Sequence, residues 1–173
     1  MQALRMLFGL LALLLGACAS MDVQTDYDRA ADFSRYTTYA WVKAPQTHNP
    51  LMAERIMAAV DGQLSAKGWR KVAEGQADVA IDARVTAHEN ERVDTYYSGG
   101  PGFYGRWGGM GMASSTVTTY TVGTLVVDMF DAKTKQAIWR GTASDTVSDN
   151  PQKNAQLIQE GVQKMFQTFP PVH

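Results

Sequence analysis

The hydrophobic pattern of the chain changes period several times, and each change marks an element. An apolar block from Met6 to Leu15 comes first, and polar sequence begins at Ser20 and Asp22. Val23 to Tyr27 and Tyr36 to Val42 are rich in aromatic and β-branched residues and are separated by the polar run DRAADFSR; two short strands are predicted. Asn49-Pro50 then offers a cap and a first-turn proline, and Met52, Ile56, Val60 and Leu64 recur every four residues until Gly68. That spacing predicts an amphipathic helix whose apolar stripe lies on a sheet. From Asp78 the period falls to two, as Val79, Ile81, Ala83 and Val85 alternate with Asp78, Asp82, Arg84 and Thr86, the signature of a half-buried strand.

A glycine- and aromatic-rich loop over residues 96–114 interrupts the pattern. Ser115 to Phe130 follows as a β-prone run with Leu125, Val127 and Met129 on one face, and Gly123 marks a bulge or a close backbone approach. After the polar turn Asp131 to Lys135, Gln136 to Thr146 returns as the second strand of an antiparallel hairpin. Asn150-Pro151 opens a second helix, whose Ile158, Val162, Met165, Phe166 and Phe169 share a face, and Pro170-Pro171 ends it. The expected fold is α+β: a mainly antiparallel sheet of about five strands with two helices packed on one face.

The apolar block near the N-terminus is too short to cross a bilayer, which takes about 20 residues. Arg5 before it and small residues after it match a secretory signal that is removed. Leu15-Gly16-Ala17-Cys18 resembles the lipobox of bacterial lipoproteins. By that resemblance the chain is cut between Ala17 and Cys18 and the thiol carries diacylglycerol, with more than one acyl chain for stable anchoring. Residues 1–17 are then a cleaved signal, 18–22 a lipidated tether and 23–173 a single domain. An ordinary cleaved signal with an incidental cysteine is the alternative. Ala19 stands where an Asp would favour inner-membrane retention, so the resemblance implies the outer membrane, with the domain facing the periplasm.

Removal of residues 1–17 leaves 15 Lys and Arg against 17 Asp and Glu. A net charge so close to neutral carries no polycationic footprint for nucleic acid. With Cys18 the sole cysteine, no internal disulfide can form, and stability must come from packing. The remaining length suits one domain with its own core.

Three segments carry a wider resemblance: DYDRAADFSRYTTYAWV, GTLVVDMFDAKTKQAIWRGTAS and the terminal KMFQTFPP. Together, and in this order, they are similar to the recurring motifs of a bacterial lipoprotein family known as domain of unknown function 4136. The resemblance implies a compact α+β envelope domain and assigns no reaction. The glycine-rich loop is longer than the family core implies, so a role for it is not inherited.

Candidate chemistry is sparse. Gly100-Pro101-Gly102-Phe103-Tyr104-Gly105 has the spacing of a dinucleotide fingerprint, but Gly108, Gly109 and Gly111 follow where a helix would have to start, so no cofactor is expected. Tyr97, Phe103, Tyr104 and Trp107 in that loop are candidate contacts for an envelope protein, a glycan or the membrane interface; the alternative is a flexible connection with its aromatics folded back. His48, His88 and His173 lack companions at metal spacing, and no metal site is expected. Asp26 and Asp28 flank Tyr27, a spacing open to a paired acid and base or to a charge-blunted strand edge. Trp41, Trp69 and Trp139 are read as core or rim packing.

Three function classes remain. The first is a non-catalytic, membrane-anchored binding or accessory module of the cell envelope. The second is an envelope hydrolase with carboxylates gathered only by the fold, which would show facing acids of perturbed pKa in a cleft. The third is a carrier for a small ligand or glycan, which would show an apolar cavity of about 300 Å³ or more.

Overall fold

The computed structural model describes residues 21–47, 49–98 and 112–171. Its elements are β1 (Asp22–Tyr27), β2 (Thr38–Trp41), α1 (Pro50–Ala66), β3 (Arg70–Lys71), β4 (Val79–Ser98), β5 (Met112–Asp131), β6 (Ala137–Thr146) and α2 (Pro151–Met165), with a 3₁₀ turn at Phe33–Arg35. They form one sheet in the order β1-β6-β5-β4-β2-β3, with both helices on one face. No helix among the described residues is long and apolar enough to cross a membrane.

The sheet has six strands and is mixed, where about five mainly antiparallel strands were expected. β1, β6, β5 and β4 pair antiparallel, whereas β2 runs parallel to both β4 and β3. The parallel pairs follow from α1: a helix carries the chain back to the end of the sheet where β2 began, so the next strands run the same way. β3, two residues long, is too short to show any period.

The helix boundaries were written in the capping residues. The Asn49 side chain accepts from the Leu51 N–H at 3.0 Å, and that of Asn150 accepts from Gln152 N–H at 2.9 Å and Lys153 N–H at 3.3 Å. α1 ends where Gly68 takes φ +83°, with the Gly68 N–H on the Ser65 carbonyl at 2.9 Å and the Trp69 N–H on the Leu64 carbonyl at 3.0 Å. Glycine alone adopts that left-handed turn without strain.

Between helices and sheet lies the core. Ile56, Val60 and Leu64 of α1 and Val162 and Met165 of α2 pack on Val79, Ile81, Ala83, Val127 and Met129, all buried. At the end where the helices finish, Phe33, Tyr36, Trp69, Trp139, Phe166 and Phe169 form an edge-to-face aromatic cluster, with ring centroids 5.1–6.3 Å apart. Trp41 is also buried, so Trp41, Trp69 and Trp139 pack as expected. α1 carries one polar side chain into this interface: Asp61 accepts from the Tyr39 hydroxyl at 3.0 Å, the Trp41 Nε1–H at 2.9 Å and Lys71 Nζ at 2.9 Å. Burial, together with Asp61, pushes the Tyr39 phenol pKa up.

β4 and β5 differ most from expectation. Both are 20 residues long and pair without a break from Val79↔Asp131 to Ser98↔Met112. The predicted loop therefore gives up Tyr96 to Ser98 and Met112 to Ser114 to the ladder. Residues 89–98 and 112–121 form a two-stranded arm that extends about 30–34 Å beyond the sheet at the usual rise per residue. Residues 89–96 and 114–119 are exposed on both faces of the arm, so no apolar alternation marked it. Gly123 lies at its base, where an added Cβ would meet Val147 Cγ2 at 2.7 Å; the close approach holds and the bulge falls elsewhere, between Met129 and Phe130.

Gly141 is the tightest glycine of the core, since a Cβ there would lie 2.5 Å from the Trp139 ring and 2.8 Å from Met165 Sδ. Gly141→Ala should destabilise the domain by about 1–3 kcal/mol, the usual cost of overpacking. Thermal unfolding followed by circular dichroism checks this, and a melting temperature equal to that of the parent would refute it.

Candidate functional site

The helix-free face of the sheet carries a cluster of paired charges. Side chains alternate along strands, so the residues that flank the buried ones on β4, β5 and β6 all point to this face. One cross-sheet row runs Asp26, Arg140, Asp128, Asp82, one residue from each of four adjacent strands. Asp128 is its centre and is only 4% exposed. Its Oδ1 accepts from Arg140 Nε at 2.5 Å, and its Oδ2 from Arg84 Nη1 at 2.7 Å and Arg140 Nη2 at 3.1 Å. Desolvation pushes the Asp128 carboxyl up, but the two guanidiniums outweigh it and hold the group below the ordinary aspartate range. The same contacts raise Arg140.

Asp82 sits directly opposite Asp128. Its Oδ1 is buried without a hydrogen bond among the described residues, and Lys43 Nζ lies 3.9 Å away. Two aspartates facing across neighbouring strands would repel; Arg84, Arg140 and Lys43 offset that repulsion.

Next to this belt, one pleat along, the sheet carries a hollow of about 680 Å³. Ala40, Ala80 and Phe130 form its floor, Gly75 to Asp78 one wall, and Lys133 and Lys135 the other. Small side chains on two neighbouring strands leave the space, and both walls are held by carboxylates. Asp78 Oδ2 accepts from Thr38 Oγ1 at 2.7 Å, Thr38 N–H at 3.1 Å and Thr37 N–H at 3.2 Å, and these bonds, the hydroxyl first, lower its pKa. Asp131 Oδ1 accepts from Thr134 and Lys133 N–H at 2.8 Å each, and its Oδ2 from the Tyr36 hydroxyl at 2.9 Å. Its pKa is lowered chiefly by the backbone bond from Thr134.

Every carboxyl shifted among the described residues is thus held ionised, which suits ion pairing and turn capping rather than proton donation. Asp26 and Asp28 each bond locally: Asp26 Oδ1 accepts from the Tyr27 N–H and Asp28 Oδ1 from the Ala30 N–H, both at 2.9 Å. No three His, Cys, Asp or Glu side chains gather to hold a metal among the described residues. On the opposite face, the apolar groove bordered by Met21, Met52, Leu125, Leu157 and Ile158 encloses about 80 Å³. That is well below the ~300 Å³ at which ligand pockets begin, so the larger recess is on the charged face, not between helices and sheet.

Tyr97 lies in β4 opposite Ala113. Ala17, Cys18, Phe103, Tyr104 and Trp107 lie outside the described residues. The ion-pair belt and the hollow were missed in the sequence. Arg84 lies 44 residues from Asp128, and Asp128 lies 12 from Arg140 on a different strand; their one local signal is a charge flanked by core residues in each of three strands.

A six-stranded α+β layer with helices on one face and a charged sheet surface on the other defines the class. The chain belongs to the family described as domain of unknown function (DUF4136), whose model matches residues 23–171. A solved DUF4136 family protein from Bacteroides thetaiotaomicron is 22% identical and superposes with a TM-score of 0.57 over 87% of this chain and 96% of its own. A PDZ domain protein from Parabacteroides distasonis is 13% identical with a TM-score of 0.61; the match covers 88% of this chain but spans only 36% of that one. At these identities the likeness is one of fold. A search of curated proteins finds no match.

Asp128→Asn keeps the shape of the belt and removes its central charge. At neutral pH the variant should unfold with about 1–2 kcal/mol less stability, the guanidiniums being partly solvated. Since the folded-state pKa of Asp128 is depressed, its contribution is complete above the unfolded value near ~4 and is lost as pH falls through the folded one. Denaturant titrations at several pH values should therefore show the gap between parent and variant closing on acidification; a gap independent of pH would rule the account out. Asp78 and Asp131 share the sign, so the parent itself should lose stability in the same acid range.

Proposed function

We propose that this protein is a lipid-anchored lipoprotein of the bacterial outer membrane, facing the periplasm, and acts as a non-catalytic binding or accessory module of the cell envelope. The observation that carries this reading is the distance between the lipobox and the fold. Cys18 would bear the lipid, and Met21, three residues on, is already buried against Ala143 and Gly161. Three residues reach about 11 Å at full extension. Such a tether holds the domain against the membrane surface and leaves it little freedom to search for distant substrate.

Two further features support a binding role. The shifted carboxyls are committed to arginines, hydroxyls and backbone N–H groups, and the 680 Å³ hollow pairs an apolar floor with Lys133 and Lys135 at its margin, the mixture by which surfaces hold partner side chains. Membership of DUF4136 supports the resemblance from which the envelope assignment came.

Cys18→Ser should abolish incorporation of radiolabelled fatty acid and move the protein from the membrane pellet to the soluble periplasmic fraction. Retention of the label or of membrane attachment by that variant would sink the anchoring.

A further inference from the structure

The arm formed by β4 and β5 leaves its neighbours abruptly. On one side β2 stops pairing with β4 at Ile81, and the bridge from Gln46 to Arg84 is the final contact there. On the other, β6 stops at Val122↔Thr146, followed by one more bond from the Val147 N–H to the Thr121 carbonyl at 2.8 Å. Beyond these points neither edge of the ribbon pairs with another strand among the described residues, and an isolated two-stranded ribbon is marginal in water.

The two edges differ. The β4 edge carries Glu89, Glu91, Arg92 and Asp94; the β5 edge, Met112 to Thr121, reads MASSTVTTYT and carries no charge, proline or glycine. Charge and proline are the usual means of preventing strand addition, and β5 lacks both. The Thr121 carbonyl points to the open side, where it meets Val147. Backbone groups alternate in direction along a strand, so Thr119, Val117 and Ser115 present their N–H and C=O groups to that same side. Val93 and Val117 face each other on the arm's helix-side face, 59% and 57% exposed.

We propose that this edge is a self-association surface, at which β5 of one molecule pairs antiparallel with β5 of a second copy about a two-fold axis through Val117. The axis falls close to the midpoint of the free segment, so most of the uncharged edge is used. Val117 then meets its own counterpart as a hydrogen-bonded pair, Ser115 meets Thr119 and Thr116 meets Thr118, all combinations that pair well across strands. On one face the four strands bring Val93, Val117 and the same two residues of the second copy into a continuous apolar row. Pairing through β4 instead would crowd three acids along the joint. The proposal does not depend on lipidation.

The test uses the full chain with Cys18→Ser, so that engineered thiols are the sole ones. Thr116→Cys with Thr118→Cys places thiols across non-hydrogen-bonded positions about 4.5 Å apart between Cα atoms, within disulfide reach. Mild oxidation should give a dimer that reductant returns to monomer, and Thr118→Cys alone should give little. In the same background, Val117→Lys puts two ammonium groups at the axis. Because Val117 is exposed, the melting temperature should hold while sedimentation shows dimerisation weakened by about tenfold or more. A parent chain that stays monomeric at about 100 μM, a Val117→Lys dimer as tight as the parent, or equal crosslinking by Thr118→Cys alone would each overturn the proposal.

Discussion

Because β4 and β5 pair continuously over their whole length, a single register decides which side chains meet the helices and which meet water. A slip of one residue would turn Ile81, Val127 and Met129 outward and bring Asp82, Arg84 and Asp128 beneath α1 and α2. The rest of the sheet is assembled on this hairpin: β6 and β1 are added along β5, and β2 and β3 along β4. The helices then cover the face the register has made apolar. Among the described residues the hairpin closes with Ser98 opposite Met112, and a glycine-rich stretch separates the two in the chain. Its register must come from the buried alternation at the body end, and the arm inherits it.

The two faces of the sheet are stabilised by different physics. Under the helices, aliphatic side chains and an aromatic cluster remove apolar area from water, and the one intruding carboxylate, Asp61, satisfies a phenol, an indole and an ammonium. On the open face, Asp128 is nearly as buried as the core yet charged. Removing it from water is costly, and the paired guanidiniums of Arg84 and Arg140 recover that cost at a partly solvated site. The residual mismatch falls on Asp82, whose buried oxygen lacks a hydrogen bond among the described residues. Charge gathered this way fixes how β4, β5 and β6 lie beside one another and leaves a defined polar surface next to the hollow.

The placement of the N-terminus links fold to function. β1 enters the sheet with Asp22 beside Ser144, near the end from which the arm leaves. Under the proposed anchoring, the membrane and the base of the arm lie on the same side of the domain.

Much of this was legible from residue order. Asn49-Pro50, Gly68 and Asn150-Pro151 set the helix ends because capping is a matter of neighbouring backbone groups. The alternation from Val79 to Val85 and at Leu125, Val127 and Met129 identified buried faces, since period two reports one covered side. β3, the 3₁₀ turn and the outer half of the hairpin left no such trace, being too short or uncovered. Nor did the sequence pair Arg84 with Asp128 and Arg140, or Asp61 with Tyr39. By itself the sequence determined the local elements, the apolar stripes, and the family to which the chain belongs. Only the tertiary structure decided strand order, the parallel addition of β2 and β3, the ion-pair belt and the open β5 edge, because these depend on contacts between residues 12 to 122 positions apart, whose pairing no local period encodes.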